Sequence, residues 1–236
     1  MIKHVGRCLY IESKGKKILV IGDLHLGFEE ALNNTGIFVS RTMFKEMINY
    51  LVGVFEEIGN VDEVVLLGDV KHTFGSVLKQ EWGDVLRLFD FLEERGKKIF
   101  VVKGNHDVIL RPIVKKKDVF LVDYYIAGGF CFLHGDRDFA ENYDKKIKYW
   151  VVGHGHPAVK IGNGVKVEKY KAFLMGKHLG KKIILVPSFF DCNLGSDPRE
   201  NNLGYAWKFN LNKFNVFVVQ DDSLDVLDFG LLSRLP

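Results

Sequence analysis

The first half of the chain alternates short apolar runs with segments of helical periodicity. Apolar runs typical of buried strands cover residues 5–12, 17–22, 64–67 and 99–102. Apolar side chains at helical spacing cover residues 41–58 and 77–95, and each of these segments is followed by a glycine suited to ending a helix. Strands that alternate with helices in this way predict an α/β fold with parallel strands.

The second half of the chain is richer in strands. Apolar runs lie at residues 130–133, 149–152, 183–186, 216–219 and 224–227. Asn163-Gly164 predicts a tight hairpin turn, and the stretch 188–204, rich in Gly, Pro, Asn and Asp, predicts a loop at the surface or at the rim of a site. Residues 1–236 contain no repeat, low-complexity tract or linker, so we predict a single domain.

Composition limits the class of protein. With 236 residues, of which 47% are hydrophobic and 27% charged, the chain is predicted to be globular with a large core. Its net charge of +3 is too small to argue for nucleic-acid binding. Cys8, Cys131 and Cys192 are scattered, which predicts neither disulfides nor a thiolate zinc site and fits a cytoplasmic location. Without a signal-peptide core or an apolar run of about 18 residues, no membrane association is expected.

Polar side chains follow most of the predicted strands. The run Gly104-Asn105-His106-Asp107 comes just after the strand that ends at residue 102. The same position after other strand-like runs is taken by Asp23, His25, Asp69, His134, His154 and His156. Open α/β sheets place their chemistry at the carboxyl ends of strands. A single histidine is usually structural, but five strand ends that carry Asp, Asn or His indicate one site, because such side chains are costly to bury unless they are paired or bound to metal.

These side chains favour a metal centre. Carboxylate, amide and imidazole donors without thiolates suit Mn²⁺, Fe²⁺ or Zn²⁺. Seven such donors are too many for one ion: Asp23, His25, Asp69, Asn105, His134, His154 and His156. Two ions that share a bridging carboxylate, roughly 3.5–4 Å apart, would use all seven and would clamp a phosphoryl oxygen.

The ordered set of strand-end motifs resembles that of a known protein family. Asp23-x-His25, Gly68-Asp69, Gly104-Asn105-His106-Asp107, His134 and Gly153-His154-x-His156 match, in order, the motifs of the calcineurin-like metallophosphoesterases. The resemblance spans residues 20–157. The form Asp-Leu-His-Leu-Gly at residues 23–27 and the small size are most similar to archaeal phosphoesterases related to the SbcD nuclease subunit and to the bacterial PdeM-like phosphoesterases.

The resemblance implies a role for each residue of the site. One divalent ion would be held by Asp23, His25 and His156, the second by Asn105, His134 and His154, and Asp69 would bridge the two. Mn²⁺ is the expected metal, with Fe²⁺, Zn²⁺ and Ni²⁺ as alternatives. His106 would stabilise the phosphoryl transition state or protonate the leaving oxygen, and Asp107 would orient His106.

The resemblance also implies the architecture of the whole chain. The family fold is a four-layer α-β-β-α sandwich, in which two mixed β-sheets pack face to face with helices outside. In a single domain of residues 1–236, the strand-rich part from about 157 to 236 would complete the second sheet and the rim of the site.

We therefore expect a dinuclear metal-dependent phosphoesterase that hydrolyses phosphodiesters, with DNA and RNA among its candidate substrates. One alternative is a phosphomonoesterase or a phosphodiesterase of small or cyclic nucleotides. Another, from a different class, is an inactive interaction scaffold with the same fold, which is disfavoured because every motif position is filled. A homo-oligomer is compatible with the sequence, although nothing in it indicates one.

Several residues outside the motifs have ordinary interpretations. His72 stands three places after Asp69, where many relatives carry an acidic residue or Asn, and an exposed loop histidine is favoured there over a substrate contact. The lysines at 115–117, 145–148 and 181–182 predict solvated faces. The aromatic residues Phe189, Phe190, Tyr205 and Trp207 are expected to serve packing rather than base stacking.

Overall fold

A computed structural model of the chain, which describes residues 1–162 and 166–235, contains two β-sheets. The first sheet has six strands in chain order: β1 Ile2–Val5, β2 Cys8–Ser13, β3 Lys16–Ile21, β4 Val61–Leu66, β5 Gly96–Val102 and β6 Val119–Val122. The strands β1 to β3 pair antiparallel, whereas β3 to β6 are parallel. The parallel pairs lie where long crossover segments join successive strands.

The α-helices of the described residues all lie between residues 28 and 114. They are α1 Phe28–Asn34, α2 Met43–Ile58, α3 Lys79–Glu93 and α4 Arg111–Val114. The two long helices, α2 and α3, bury Leu51 and Leu88 in the same apolar cluster as Leu19, Val64 and Ile99 of the first sheet. Their apolar faces therefore cover one side of that sheet, as the helical periodicity predicted.

The second sheet has eight strands, all from the later part of the chain. They are β7 Tyr125–Ala127, β8 Phe130–Leu133, β9 Tyr149–Val152, β10 Ala158–Gly162, β11 Val167–His178, β12 Lys181–Leu185, β13 Asn215–Val219 and β14 Val226–Leu231. Their order is β14-β13-β11-β12-β9-β8-β7, and β10 pairs with β11. Because β8, β9 and β12 are parallel neighbours and the other pairs are antiparallel, both sheets are mixed and the predicted α/β class is confirmed.

The two sheets pack face to face through a shared apolar core. The first sheet contributes Leu9, Val20, Val65 and Val102, and the second contributes Phe132, Val151, Phe173 and Ile184. On the outer face of the second sheet, Trp207, Phe214 and Leu232 pack around Trp150. Trp207, Phe214 and Leu232 lie in loops and short 3₁₀ turns between residues 195 and 235, outside β13 and β14. Irregular segments, rather than long helices, therefore form the fourth layer in the part of the chain that the structure describes.

Local structure differs from the sequence prediction at several places. The predicted strand 5–12 is a hairpin instead, because the chain reverses at Gly6 and Arg7 and pairs Val5 with Cys8. Gly6 has a φ of 53°, a conformation that glycine adopts without strain. Helix α3 ends at Glu93, and Gly96 begins β5 rather than terminating the helix. Helix α1 was not predicted, because seven residues are too few to display a helical period.

The remaining sequence predictions concern the surface. The predicted Asn163-Gly164 turn lies outside the described residues, although β10 and β11 on either side of it pair antiparallel. Most of the clustered lysines are exposed, but Lys181 is buried and its ammonium group donates to the carbonyl oxygens of Asp144 and Ile147, each at 2.8 Å. Within residues 1–162 and 166–235, no helix is long and apolar enough to cross a membrane. The extent of the domain stays a prediction.

His4 on β1 is an ionisable group enclosed by aromatic rings of the second sheet. Its ring centroid lies 4.5 Å from that of Phe173 and 4.9 Å from that of Phe217. Burial lowers the pKa of His4 from 6.5 to about 4, against a smaller opposing effect of Asp228. Because the pKa is lower in the folded state than in the unfolded chain, the neutral ring favours folding fully above pH 6.5, and this contribution is lost as pH falls towards 4.

We therefore expect the free energy of unfolding of the parent protein to fall between pH 6.5 and pH 4 by about 2–3 kcal/mol more than that of His4→Phe. Urea unfolding curves recorded at several pH values in this interval measure the difference. Parallel pH dependences for the two proteins would show that His4 is not held neutral by its surroundings.

Candidate metal centre

The polar residues predicted from strand ends lie at one end of the two packed sheets. Asp23, Asp69 and Asn105 follow the adjacent parallel strands β3, β4 and β5 within two or three residues. His134 and His154 follow the adjacent parallel strands β8 and β9. Since parallel neighbours direct their carboxyl ends to the same edge, each sheet presents its polar residues as a set, and the sandwich brings the two sets together.

Side chains from both sheets form two clusters of possible metal ligands, and the first cluster consists of Asp23, His25 and His156. Their ligand atoms all lie within 4.8 Å of one another. The Nε2 atom of His156 is 3.3 Å from Asp23 Oδ1 and 3.4 Å from Nε2 of His25. We call these three residues the first donor group.

The second set consists of Asp69, His134 and His154, whose ligand atoms also lie within 4.8 Å of one another. The Nε2 atom of His134 is 3.1 Å from Nδ1 of His154 and 3.5 Å from Asp69 Oδ1. It is also 3.0 Å from Oδ1 of Asn105, so the amide belongs to this second donor group. Nδ1 of His134 lies 2.7 Å from the carbonyl oxygen of Leu67, which fixes the ring and leaves Nε2 free to bind a cation.

The carboxylate of Asp69, a member of the second donor group, also faces the first. Its Oδ1 faces His134 in the second group, and its Oδ2 is 3.8 Å from Nε2 of His25 in the first. The backbone amide of His106 donates to Oδ1 at 2.9 Å and holds the carboxylate in place. The two oxygens of Asp69 are thus placed as a bridging carboxylate would need them.

The backbone at these residues is in an uncommon conformation. Among the residues that the structure describes, eight non-glycine residues have positive φ, and five of them belong to the two donor groups. These five are Asp23 at 33°, His25 at 47°, Asp69 at 47°, His154 at 64° and His156 at 43°. Left-handed conformations of non-glycine residues are unfavourable by about 1–3 kcal/mol each and concentrate at functional sites. This signal was not available from the sequence, where all five residues are ordinary Asp and His.

Burial perturbs the protonation of the donor groups. Burial, opposed in part by His134, raises the pKa of Asp69 to about 7, and burial lowers the pKa of His25 to about 3. For Asp23, burial is outweighed by the attraction of His156, His134 and His25, and the pKa falls to about 2. For His134, the neighbouring carboxylates of Asp23 and Asp69 outweigh burial and raise the pKa. In the protein alone, burial and neighbouring charges therefore act in opposite directions on the protonation of these groups.

Divalent cations fit this donor set. Imidazole nitrogens, carboxylate oxygens and one amide oxygen are the donors that Mn²⁺, Fe²⁺ and Zn²⁺ accept. Nε2 of His25 and Nε2 of His156 approach each other to 3.4 Å, so both rings direct a nitrogen to the volume where a cation would be held. A cation in each donor group would neutralise the carboxylates, keep the imidazoles neutral and remove this opposition.

His106 and His72 border the first donor group. Nε2 of His106 is 3.9 Å from Asp69 Oδ2, and Nδ1 faces the backbone carbonyl oxygen of His72. The rings of His106 and His72 lie 4.8 Å and 5.5 Å from that of His25. The interpretation of His72 as an exposed loop residue is wrong, because its ring is half-buried between His25 and Phe28.

Asp107 does not orient His106 as expected. Its fully buried carboxylate accepts hydrogen bonds from the backbone amides of Val70 and Gly104, both at 3.0 Å. It thereby ties the loop after β4 to the loop after β5, and the carbonyl of His72 orients His106 instead. Burial raises the pKa of Asp107 in spite of these bonds. The sequence could not distinguish the two roles, because adjacency in the chain does not reveal which way a carboxylate turns.

Three aromatic residues near the histidines had no predicted role in the site. Phe28 and Phe190 have ring centroids 4.9 Å apart, and Phe190 lies 5.4 Å from the ring of His25. Phe74, whose side chain is 58% exposed, lies 3.7 Å from the ring of His106. Phe28 and Phe74 sit just after His25 and His72 in the chain, but their sequence positions carry no motif.

Comparisons with known proteins agree on the fold. The sequence model of one family, described as calcineurin-like phosphoesterase, matches residues 16–177. The nuclease MPE of Pseudomonas putida aligns with a TM-score of 0.60 at 14% sequence identity, over 94% of this chain and 100% of its own. The phosphoesterase Yfce of E. coli aligns with a TM-score of 0.44 at 16% identity, over 91% and 98%. Wild-type Vps29 of Entamoeba histolytica, complexed with Zn²⁺, aligns with a TM-score of 0.41 at 14% identity, over 90% and 98%. A search of curated proteins finds no match.

The close approach of Gly104 to Asp69 generates a prediction. A Cβ atom at Gly104 would overlap Oδ1 and the backbone nitrogen of Asp69. We expect Gly104→Ala to lower the free energy of unfolding by about 1–3 kcal/mol, because the loop must shift away from the carboxylate. Thermal and urea unfolding measure this change.

Gly83→Ala is the matched control. Gly83 lies within α3, and a Cβ atom there would meet nothing within 4 Å. The same substitution should raise the free energy of unfolding by roughly 0.5–1 kcal/mol, because alanine favours the helix. Equal effects of the two substitutions would contradict the close packing of the β5 loop on Asp69.

Proposed function

Because the chain belongs to the calcineurin-like phosphoesterase family, we propose that it hydrolyses phosphodiester bonds with the aid of two divalent metal ions. One observation carries the proposal: two groups of donor atoms, each within 4.8 Å, share one carboxylate, because Asp69 belongs to the second group and its Oδ2 also faces His25 of the first. Dinuclear hydrolases need this arrangement because the two cations must share a ligand to sit a few ångströms apart.

The proposed ligands follow the donor groups. Asp23, His25 and His156 would hold one ion, and Asn105, His134 and His154 would hold the other. The carboxylate of Asp69 would be shared by both. When bound, the ions supply positive charge that activates water for attack on phosphorus and neutralises the charge that develops on the phosphoryl oxygens. Mn²⁺ is the ion to test first, followed by Fe²⁺, Zn²⁺ and Ni²⁺.

His106 supplies a proton donor at the edge of the centre. Nδ1 faces a carbonyl oxygen, which can only accept, so Nδ1 carries a hydrogen and Nε2 is the atom that faces the site. Burial lowers the pKa of His106 in the free protein. A bound phosphoester brings negative charge next to the ring and favours its protonated form, from which Nε2 donates to the leaving oxygen.

Phosphodiesters of nucleic acids are the substrates to test first. The Pseudomonas putida protein that shares the fold is named a nuclease, and the strand-end motifs resemble the SbcD-related and PdeM-like branch. The centre lies at the end of an open sandwich, and His106 and His156 at its edge are only half-buried. An extended strand can therefore be brought to the centre without first being threaded into a closed cavity.

We expect Asp69→Asn to lower Mn²⁺-dependent hydrolysis of bis(p-nitrophenyl) phosphate by at least about a hundredfold, because the bridging charge is lost. The bound Mn²⁺ per chain, measured by mass spectrometry of the metal, should fall as well. Asp62→Asn, at a half-buried aspartate near the start of β4 that pairs with Lys97, is the matched control and should leave both quantities unchanged. Parental rates and metal content in Asp69→Asn would exclude a bridging role.

The leaving group determines how much His106 contributes. For a diester with an alkoxide leaving group, such as thymidylyl-thymidine, we expect His106→Ala to lower kcat by about 10²–10⁴-fold. For bis(p-nitrophenyl) phosphate the loss should be at least about tenfold smaller, because nitrophenolate departs without a proton. Steady-state rates with saturating Mn²⁺ give both numbers.

His178→Ala, at a half-buried histidine on β11 next to Trp150, serves as the control and should not discriminate between the two esters. Equal losses on the two esters in His106→Ala would contradict proton donation by His106. Such a result would favour its other expected role, which is to stabilise charge on the phosphoryl group.

A further inference from the structure

We propose that a pocket beside the first donor group binds a planar aromatic group attached to the scissile phosphoester. This inference rests on the proposed function and narrows its substrate class. The pocket has a volume of about 390 Å³, within the range of small-ligand sites. Its lining includes His25, Phe28, His72, His106, His156 and Phe190, and we call it the aromatic pocket.

The aromatic pocket is continuous with the proposed phosphate site. His25 and His156 belong to the first donor group, and His106 faces Asp69 across 3.9 Å. These same side chains form one side of the pocket. A group that fills the pocket therefore lies against the side chains proposed to hold the first ion, which favours a group that is part of the ester itself over a second ligand.

Most of the residues that line the aromatic pocket are ring systems, and Cys192 and Asn193 complete the lining. Phe28 packs edge to face on Phe190, with ring centroids 4.9 Å apart at an angle of 78°, and on His72, at 4.9 Å and 90°. Phe190 packs on His25 at 5.4 Å and 65°. Phe28 and His72 remain half-buried, so part of their ring surface is accessible. Such surfaces bind planar aromatic groups by stacking or by edge contacts.

No lysine or arginine is among the described residues that line the aromatic pocket. Away from the donor group, its walls offer ring surfaces rather than cationic side chains, which suits an aromatic ring better than a second phosphate or a carboxylate.

The walls are fixed before any ligand arrives. On one side, the amide of Phe190 donates to the Asp23 carbonyl oxygen at 3.2 Å and to Ser188 Oγ at 3.1 Å. On the other side, the amide of His72 donates to the Leu26 carbonyl oxygen at 2.8 Å, which positions His72 against Phe28. A preformed pocket loses little freedom on binding, so contacts with an aromatic group translate into affinity.

Phosphonates test the pocket without hydrolysis, because their carbon–phosphorus bond is not an ester. We expect the Mn²⁺-loaded protein to bind phenylphosphonate at least about tenfold more tightly than methylphosphonate in calorimetric titrations. Cyclohexylphosphonate, which is apolar but not planar, should bind more weakly than phenylphosphonate. In Phe28→Leu, and in Phe190→Leu where unfolding curves confirm that it folds, the ratio of phenyl to methyl affinity should fall about tenfold.

Phe229→Leu is the matched control. Phe229 is an exposed phenylalanine on the edge strand β14, and its substitution should preserve the phenyl-to-methyl ratio. Titration with thymidine 5′-monophosphate distinguishes a nucleobase from a simple aryl group as the natural occupant of the pocket. An affinity similar to or above that of phenylphosphonate indicates a nucleobase, and an affinity near that of methylphosphonate indicates a simple aryl ester.

The outcomes separate this inference from the proposed function. Equal affinities for methyl- and phenylphosphonate, in a protein that hydrolyses bis(p-nitrophenyl) phosphate with Mn²⁺, would overturn the aromatic pocket alone. Equal affinities for cyclohexyl- and phenylphosphonate would overturn its preference for planar groups. Absence of both hydrolysis and phosphonate binding in the Mn²⁺-loaded protein would overturn the proposed function.

Discussion

The structure depends on one electrostatic constraint, which is that carboxylates and imidazoles are forced into the same buried volume. Asp23 is fully buried, and His25, Asp69 and His134 are nearly so. Burying such groups is unfavourable unless each has compensating partners. Backbone amides supply part of the compensation, since His154 N donates to both oxygens of Asp23 and His106 N donates to Asp69. A cation bound in each donor group would supply the remaining compensation for the buried carboxylates.

Buried carboxylates also connect the loops that carry the site. Asp107 joins the loops after β4 and β5 through the amides of Val70 and Gly104. Glu81, at the start of α3 and fully buried, accepts hydrogen bonds from the amides of His72 and Thr73, at 2.8 and 2.7 Å. Carboxylates that accept from backbone amides form strong, directional bonds. These bonds, some of them from the helix α3, hold in place the loops in which the donor residues have strained backbones.

The sequence predicts which strand-end residues lie together, but it does not predict the hydrogen bonds and ring contacts around them. Strand ends can be located because buried strands are apolar runs, and Asp69 or His134 at such an end has few structural uses. The α/β class and the two mixed sheets follow from the same pattern together with the family resemblance. By contrast, the turn of Asp107 away from His106 and the burial of His72 against Phe28 depend on contacts between segments far apart in the chain. Periodicity carries no information about such contacts, and the short helix α1 falls below the length at which a period can be recognised.

Asp23 links the first donor group to the segment that carries Phe190, a wall of the aromatic pocket. Its carboxylate belongs to the first donor group, and its carbonyl oxygen accepts from Ser188 Oγ at 3.0 Å and from the amide of Phe190 at 3.2 Å. The segment that carries Phe190 is secured further by Arg7, which donates to the carbonyl oxygen of Phe189 at 3.0 Å. A shift of residues 188–190 would thus displace both the wall of the aromatic pocket and the backbone that positions a proposed ligand. A substitution that moves this segment is therefore expected to disturb the proposed ligand Asp23 and the pocket wall together.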